Sequence, residues 1–439
     1  VADLVFLVVV ACLYGVTVRR PGAACGYVLA GTALEQCAQA FVPMANQQDT
    51  LCNYLTAGAV LSGLVARVLQ DGGNLPRLRS SSLWVLGLLG YCYLTVTWSL
   101  FPGTTMSALN RSIPYLVTFV GMAPLLVRTD SDLRDCLVAL LFSSLLALGL
   151  LLLFAEWGGR GVILPGKSFE SNPLALAEAA GCLLIVTAFA PLRDALSPRV
   201  RYVLLSAAVV VTALVFMRTA SRGQVGAAVL ATLVFSWRQR GGGWIVLAMG
   251  IGGLLLAALL PEEVARNAER WDPDQMRAAV DSGRVGEADR LLTFWSHADV
   301  WHQVLGLGHA TAQDPRILGN YPHVVPVEVL AEEGIFGAIL FAATIAVGAA
   351  AHVRGLKRAS PASQQTLAAT AALLSFEFVL IWKQGSLLGA SAFLLLLILA
   401  PEHARDRAKV RDERSNAAAR TRAAPRARLD LPRLRTRAR

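Results

Sequence analysis

Apolar residues in this chain come in long blocks separated by short polar breaks. The blocks fall near residues 3–18, 24–42, 51–70, 82–101, 111–127, 134–155, 173–190, 202–217, 222–237, 244–260, 335–353, 364–382 and 386–400. Most are about 17 to 22 residues long, the length a helix needs to cross a bilayer core. The pattern predicts an all-α, polytopic membrane protein of about twelve transmembrane helices, with one large polar loop before the last three. The first two blocks are the weakest, and Glu35 and Gln36 interrupt the second. Thirteen crossings put the N-terminus outside; twelve put both ends inside. The first block has no basic residues before it and no clear small-residue cleavage site, so it reads as a span rather than a signal peptide.

Basic residues set the orientation. Arg67, Arg77 and Arg79 share one break, and Arg128 and Arg134 flank the next on the same side. Arg193, Arg199 and Arg201 follow, then Arg238 and Arg240, then Arg354, Lys357 and Arg358. All fall on alternate turns, as a shared cytoplasmic side requires. Trp98, Trp157 and Trp382 then sit at outer ends, and Trp237 and Trp244 at inner ends, as an aromatic belt predicts.

Composition agrees with a membrane body. The 439 residues are 55% hydrophobic and 16% charged, where a soluble chain carries about 25% charged residues. The net charge of +10 is concentrated in the tail, since His403–Arg439 holds thirteen Lys/Arg against four Asp/Glu. Residues 1–400 therefore read as one transmembrane domain and 401–439 as a basic, disordered cytoplasmic tail that touches anionic lipid. No nucleic-acid partner is expected. The seven cysteines form no CxxC pair and mostly fall in apolar spans, so they read as small buried hydrophobes.

Residues 261–334 form the large outer loop and hold four of the six histidines, His297, His302, His309 and His323. Within Glu287–Val304, Leu291, Leu292, Trp295 and Ala298 recur at helical spacing, so a folded cap is expected. Three candidate groups stand out. In Arg218-Thr219-Ala220-Ser221-Arg222-Gly223, Ser221 is placed to cap the helix that Arg222 opens, and two arginines at a helix N-terminus can bind an anion. Arginines that snorkel to the interface are the plainer account. His323, in Asn320-Tyr321-Pro322-His323, precedes a helix carrying Glu328, Glu332 and Glu333. A neutral imidazole there can serve as a general base, or it is a surface histidine at a turn. Arg290 sits among apolar residues that could hold its guanidinium at a headgroup, with Arg284 a close competitor; an ordinary surface charge is the alternative.

Other patterns carry less. Asp272-Pro273-Asp274 reads as a turn, His309 in Gly306-Leu307-Gly308-His309 as a tight turn, and His297 and His302 do not share a helix face. Lys383 pairs with an anion or anchors the topology, and Glu377 is buried or proton-coupled. No HExxH or GxSxG is present, and neither a metal nor a cofactor is expected.

Three stretches together resemble the O-antigen ligase and polymerase superfamily of bacterial membrane glycosyltransferases, which share a Wzy-type C-terminal domain. They are Thr219-Ala220-Ser221-Arg222-Gly223, Arg290–Trp295 leading to Val304–His309, and His323 with Glu328, Glu332, Gly334 and Gly337. Asn172–Ala177 also fits, and the closest likeness covers residues 205–350. The resemblance implies about twelve spans and a periplasmic loop before the last three. Ten spans are counted here before that loop, where relatives have nine. Many relatives carry Asn after the histidine, where this chain has Val324.

The resemblance also implies a reaction at the periplasmic face of the inner membrane. A glycan moves from undecaprenyl diphosphate to an acceptor hydroxyl, such as that of lipid A–core, with inversion and without a metal. His323 would take the hydroxyl proton, and Arg222, Arg290 and Arg218 would hold the diphosphate. Polymerases and protein glycosyltransferases of this kind differ in acceptor. A flippase would instead place ionisable groups along a mid-membrane path, and a scaffold would need no convergence of Arg222 and His323.

Overall fold

The computed structural model describes residues 2–74, 78–189, 197–236, 250, 252, 258 and 283–399. Most of the apolar block at 244–260, part of the loop at 261–334, Asp272–Asp274 and the tail at 401–439 lie outside them. The described residues are all-α, with seventeen α-helices. In chain order these are α1 (Ala2–Arg19), α2 (Ala23–Leu29), α3 (Gly31–Phe41), α4 (Pro43–Gln47), α5 (Leu51–Gln70) and α6 (Ser80–Leu94). Next come α7 (Pro102–Tyr115), α8 (Asp130–Phe154), α9 (Pro173–Phe189), α10 (Pro198–Thr219) and α11 (Arg222–Ser236). The last six are α12 (Arg284–Ser296), α13 (Val300–Leu305), α14 (Val325–Glu332), α15 (Gly334–Arg358), α16 (Pro361–Leu380) and α17 (Ser391–Ile398).

Six helices are long and apolar enough to cross a membrane: Ala2–Arg19, Leu51–Gln70, Ser80–Thr97, Asp130–Phe154, Pro198–Thr219 and Gly334–Arg358. At 1.5 Å per residue they run about 27 to 38 Å. The apolar helices α9 and α11 are shorter, with 17 and 15 residues. Two predicted spans are irregular. The block at 24–42 divides into α2 and α3 at Ala30, beside Gly31, a poor helix former. The block at 111–127 contains Pro114, which cannot donate a backbone hydrogen bond. A π-helical stretch, Leu116–Met122, and a 3-10 turn, Ala123–Leu126, follow it.

Helix starts follow local chemistry. Thr129 and Asp132 form a reciprocal capping box on α8, satisfying two N–H groups that the first turn leaves open. Proline opens α9, α10 and α16, where its missing N–H costs nothing. Helix α9 is buried from Leu176 to Phe189 at the centre of the bundle, packed on α8, α10, α11 and α16. Large apolar residues such as Leu4, Leu69, Leu153, Val203 and Ile339 are exposed on the outside, the surface a hydrocarbon environment would cover.

Charge separates the two ends of the bundle. At one end Arg67 pairs with Asp132, Arg128 with Asp71 and Arg20 with Asp135. Arg79 donates to the Ile398 carbonyl there at 3.0 Å. Helix α8 leads from this end, and the turn after it begins the other, which holds the candidate residues.

Candidate functional site

The α10–α11 turn collects cations. Helix α10 stops because Ala220 adopts a left-handed conformation, φ 47°, and α11 starts two residues later. Ser221 is buried, and its hydroxyl donates to the Thr219 carbonyl at 3.3 Å. Arg160 arrives from the α8–α9 connection: Nε donates to the Thr219 carbonyl at 2.9 Å and Nη2 lies 3.4 Å from Ser221 Oγ. The Arg160 turn is held by Glu170, whose carboxylate accepts the N–H groups of Gly159, Arg160 and Gly161 at 2.6, 3.0 and 2.8 Å. These bonds, that of Arg160 foremost, hold the Glu170 carboxyl below its ordinary pKa. Arg218 places its guanidinium 5.8 Å from the centroid of the Trp157 ring, within cation–π range.

Lys383 completes the group from the far end of α16. Its ammonium donates to Gln224 Oε1 at 2.7 Å and lies across Gly223, where a Cβ would come 2.0 Å from Nζ. Glycine alone leaves room for the lysine on this turn. Gln224 in turn donates to Gln384, and Gln384 donates to Glu178 Oε2 at 2.7 Å. Arg160, Arg218, half-buried Arg222 and Lys383 therefore flank the α10–α11 turn and the first turn of α11, an arrangement of cations suited to a phosphate or diphosphate.

His323 is linked to the same region. The Val325 N–H donates to the Ile381 carbonyl at 2.9 Å, so the entry to α14 is pinned two residues from both His323 and Lys383. His323 is half-buried with φ 59°, its ring 4.3 Å from that of Tyr321, and Asn320 Nδ2 lies 3.4 Å from its Nε2. Arg290 lies on the exposed face of α12. Its neighbour Leu291 instead packs into a small core with Leu307, Ala312 and Ala331.

A second group lies where Gly306–Ala312 folds onto the end of α14. Leu307 and Gly308 N–H groups donate to the carbonyls of Ala331 and Glu332 at 3.0 and 2.9 Å. The Glu332 carboxylate accepts from the Ala310 and Ala312 N–H groups at 2.6 and 2.9 Å. Gly306 and Gly334 touch backbone to backbone, with a Cβ on Gly334 only 2.3 Å from the Gly306 nitrogen. Beside them His309 Nδ1 meets Glu333 Oε1 at 2.6 Å, both side chains buried. Burial pushes the His309 imidazole down, but the hydrogen bond and charge of Glu333, with Glu332 behind it, carry it above its ordinary value. Burial raises the Glu332 carboxyl to about 8, against the opposing pull of His309.

Cys92, His309 and Glu333 bring donor atoms within 4.8 Å of one another. Since Nδ1 and Oε1 already bond each other, the trio reads as a hydrogen-bonded core rather than a metal cage. His309 also lines a half-open cavity of about 290 Å³ with Asn53, Ser112, Tyr115, Gln313 and Ser386.

No protein-family model matches the chain, and no curated protein matches it. The geometry places Arg160 and Lys383 at the turn that Arg218 and Arg222 flank in sequence, and bonds the segment after His323 to the one before Lys383. Arg160 was not singled out from the sequence, although it lies in a break that the basic-residue pattern assigns to the outer side, where basic residues are expected to be scarce. That scarcity was the available signal. The His309–Glu333 pair was also missed, because nothing in a Gly-Leu-Gly-His turn announces a carboxylate 24 residues away.

Proposed function

We propose that the chain is a multi-pass inner-membrane glycosyltransferase of the O-antigen ligase type, with about twelve spans and its site facing the periplasm. It moves a glycan from undecaprenyl diphosphate to an acceptor hydroxyl, with lipid A–core the preferred acceptor and a second lipid-linked glycan the alternative. The observation that carries this reading is the group of cations on the first turn of α11, joined by the Val325–Ile381 hydrogen bond to the segment bearing His323.

The chemistry follows from charge. A lipid diphosphate leaves with developing negative charge, which Arg218, Arg222, Arg160 and Lys383 can stabilise. His323 takes the acceptor proton as the oxygen attacks the anomeric carbon from the opposite face. Arg290, on the exposed face of α12, is a further candidate for contact with the diphosphate. The hydrogen-bonded line Glu178–Gln384–Gln224–Lys383, of which Gln224 is buried, favours a second reading, proton- or ion-linked transport of a lipid-linked glycan.

Purified protein with a lipid-diphosphate-linked glycan, lipid A–core and EDTA decides between them. Transfer by the wild type, lost in Arg222→Ala and His323→Ala, supports the ligase. Glycan polymer without transfer to core makes it a polymerase. Flipping of the lipid-linked glycan without any transfer product would replace the enzyme reading with transport.

A further inference from the structure

The cavity beside His309 differs in chemistry from the cationic turn. Its wall presents the amides of Asn53 and Gln313, the hydroxyls of Ser112, Tyr115 and Ser386, and the His309 imidazole. No Lys, Arg, Asp or Glu lines it among the described residues. It would leave a diphosphate uncompensated, whereas hydroxyl groups find both donors and acceptors. Phe119 joins the wall, its ring 6.0 Å from that of Tyr115, giving an apolar platform among polar groups. At about 290 Å³ the space holds roughly ten water volumes and approaches the lower end of small-ligand pockets, roughly 300 Å³.

We propose that this cavity is a binding subsite for a neutral, hydroxyl-rich ring, and that His309 meets one of its hydroxyls. Its assignment as the acceptor-sugar subsite rests on the transfer reading above; the binding of a sugar ring does not. Glu333 holds Nδ1 at 2.6 Å, which fixes the ring and leaves Nε2 for the cavity. The Gly306–Ala312 segment that carries His309 is itself clamped by Glu332, so the imidazole is preorganised.

The two sites share one short piece of chain. Residues 381–390 carry Lys383, which lies over Gly223, and three residues later Ser386, which lines the cavity. The Glu328 carboxylate accepts the Leu387 N–H at 3.2 and 3.3 Å to its two oxygens, fixing this segment to α14. A donor held by its diphosphate at Lys383 and an acceptor ring beside Ser386 would thus be presented side by side.

The test uses the full chain in lipid nanodiscs and saturation-transfer NMR with methyl β-D-glucopyranoside as probe. Transfer to the glycoside protons is expected from the wild type and from Arg222→Ala, without competition by inorganic pyrophosphate. In Gln313→Leu and Ser112→Ala, which remove the polar group without adding bulk, the affinity should fall about fivefold, the equivalent of one neutral hydrogen bond. Ser386→Phe, which fills the cavity, should abolish it. No signal from the wild type, or equal signals in the wild type and all three cavity variants, would overturn the sugar site. Transfer kinetics test the acceptor assignment separately: Gln313→Leu should raise KM for the acceptor and leave that for the donor unchanged. An unchanged acceptor KM in a transferring enzyme overturns the assignment while the enzyme reading stands. A wild type that binds glycoside but transfers nothing overturns the enzyme reading and keeps the sugar site.

Discussion

Replacing Gly223 by alanine pushes Lys383 off the first turn of α11. The added Cβ would lie 2.0 Å from Nζ, 2.2 Å from Cε and 2.6 Å from Cδ. These atoms are the free end of a flexible side chain, so the lysine swings aside while the helices stay in place. The movement breaks the 2.7 Å bond to Gln224 Oε1. A hydrogen bond to a charged group is worth about 1.5–3 kcal/mol, so if transfer needs the ammonium where it lies, kcat/KM should fall by roughly 10- to 150-fold. The same substitution improves helix propensity by up to about 1 kcal/mol. The lost hydrogen bond outweighs this gain, so the folded state should weaken by about 0.5–2 kcal/mol while activity falls much further than the folded fraction. The assay pairs initial rates of glycan transfer with the unfolding midpoint of the same preparation, and Lys383→Met should reproduce the loss of rate. Full activity in Gly223→Ala would refute the role given to Lys383, as would a loss of rate that merely tracks a loss of folded protein.

The His309 corner predicts a pH dependence. The folded imidazole is raised above 6.5 by Glu333 and Glu332, so its contribution is complete below the unfolded value and is lost as pH rises through the folded one. Glu332, raised from 4.5 to about 8, acts in the same direction, because a carboxyl that holds its proton longer when folded favours the folded state at low pH. The unfolding midpoint should thus fall between pH 4.5 and 8, and fall less in a His309→Gln, Glu332→Gln double variant; a midpoint rising equally in both proteins would contradict the assignment. Glu332→Ala strands the N–H groups of Ala310 and Ala312, at about 1–3 kcal/mol each, so hydrogen exchange over residues 306–312 should quicken while α8 stays protected. At the opposite end Arg67→Met leaves Asp132 without its partner; breaking such a pair costs about 3–5 kcal/mol when buried. Both side chains are 12% exposed, so unfolding should shift by a little less, with donor KM unchanged.

Hydrophobic blocks announced several helices closely. The block at 51–70 is α5, 173–190 is α9 within a residue, and the one starting at 222 is α11. Each is a continuous apolar run, and length with hydropathy is enough to define it. The break at Ala30 and the π-helical turn after Pro114 are less legible, because they depend on how neighbouring helices pack. The candidate site divides in the same way. Arg218, Arg222 and His323 stand next to turn residues and could be singled out from local sequence. Lys383 could be weighed but not decided, since its meaning comes from Gly223, 160 positions earlier. Arg160 depends on Glu170 folding back to hold its turn, and His309 on Glu333 meeting it from the junction of α14 and α15. Pairings across the chain leave no periodic trace.

Three non-glycine residues among those described have a left-handed backbone: Ala220 at φ 47°, Ala310 at 58° and His323 at 59°. Each adjoins or is a residue named above, and each costs an L-amino acid about 1–2 kcal/mol. The total is comparable to a large share of the 5–15 kcal/mol by which a typical protein is stable. Thermostabilisation therefore has an obvious starting place, since glycine at 220 or 310 relieves the turn without touching a packed helix. It would also loosen the rigid mounts of Arg222 and His309. A hardier variant made this way should express better and turn over more slowly, so engineers working on this chain would be trading robustness against aim at the same two alanines.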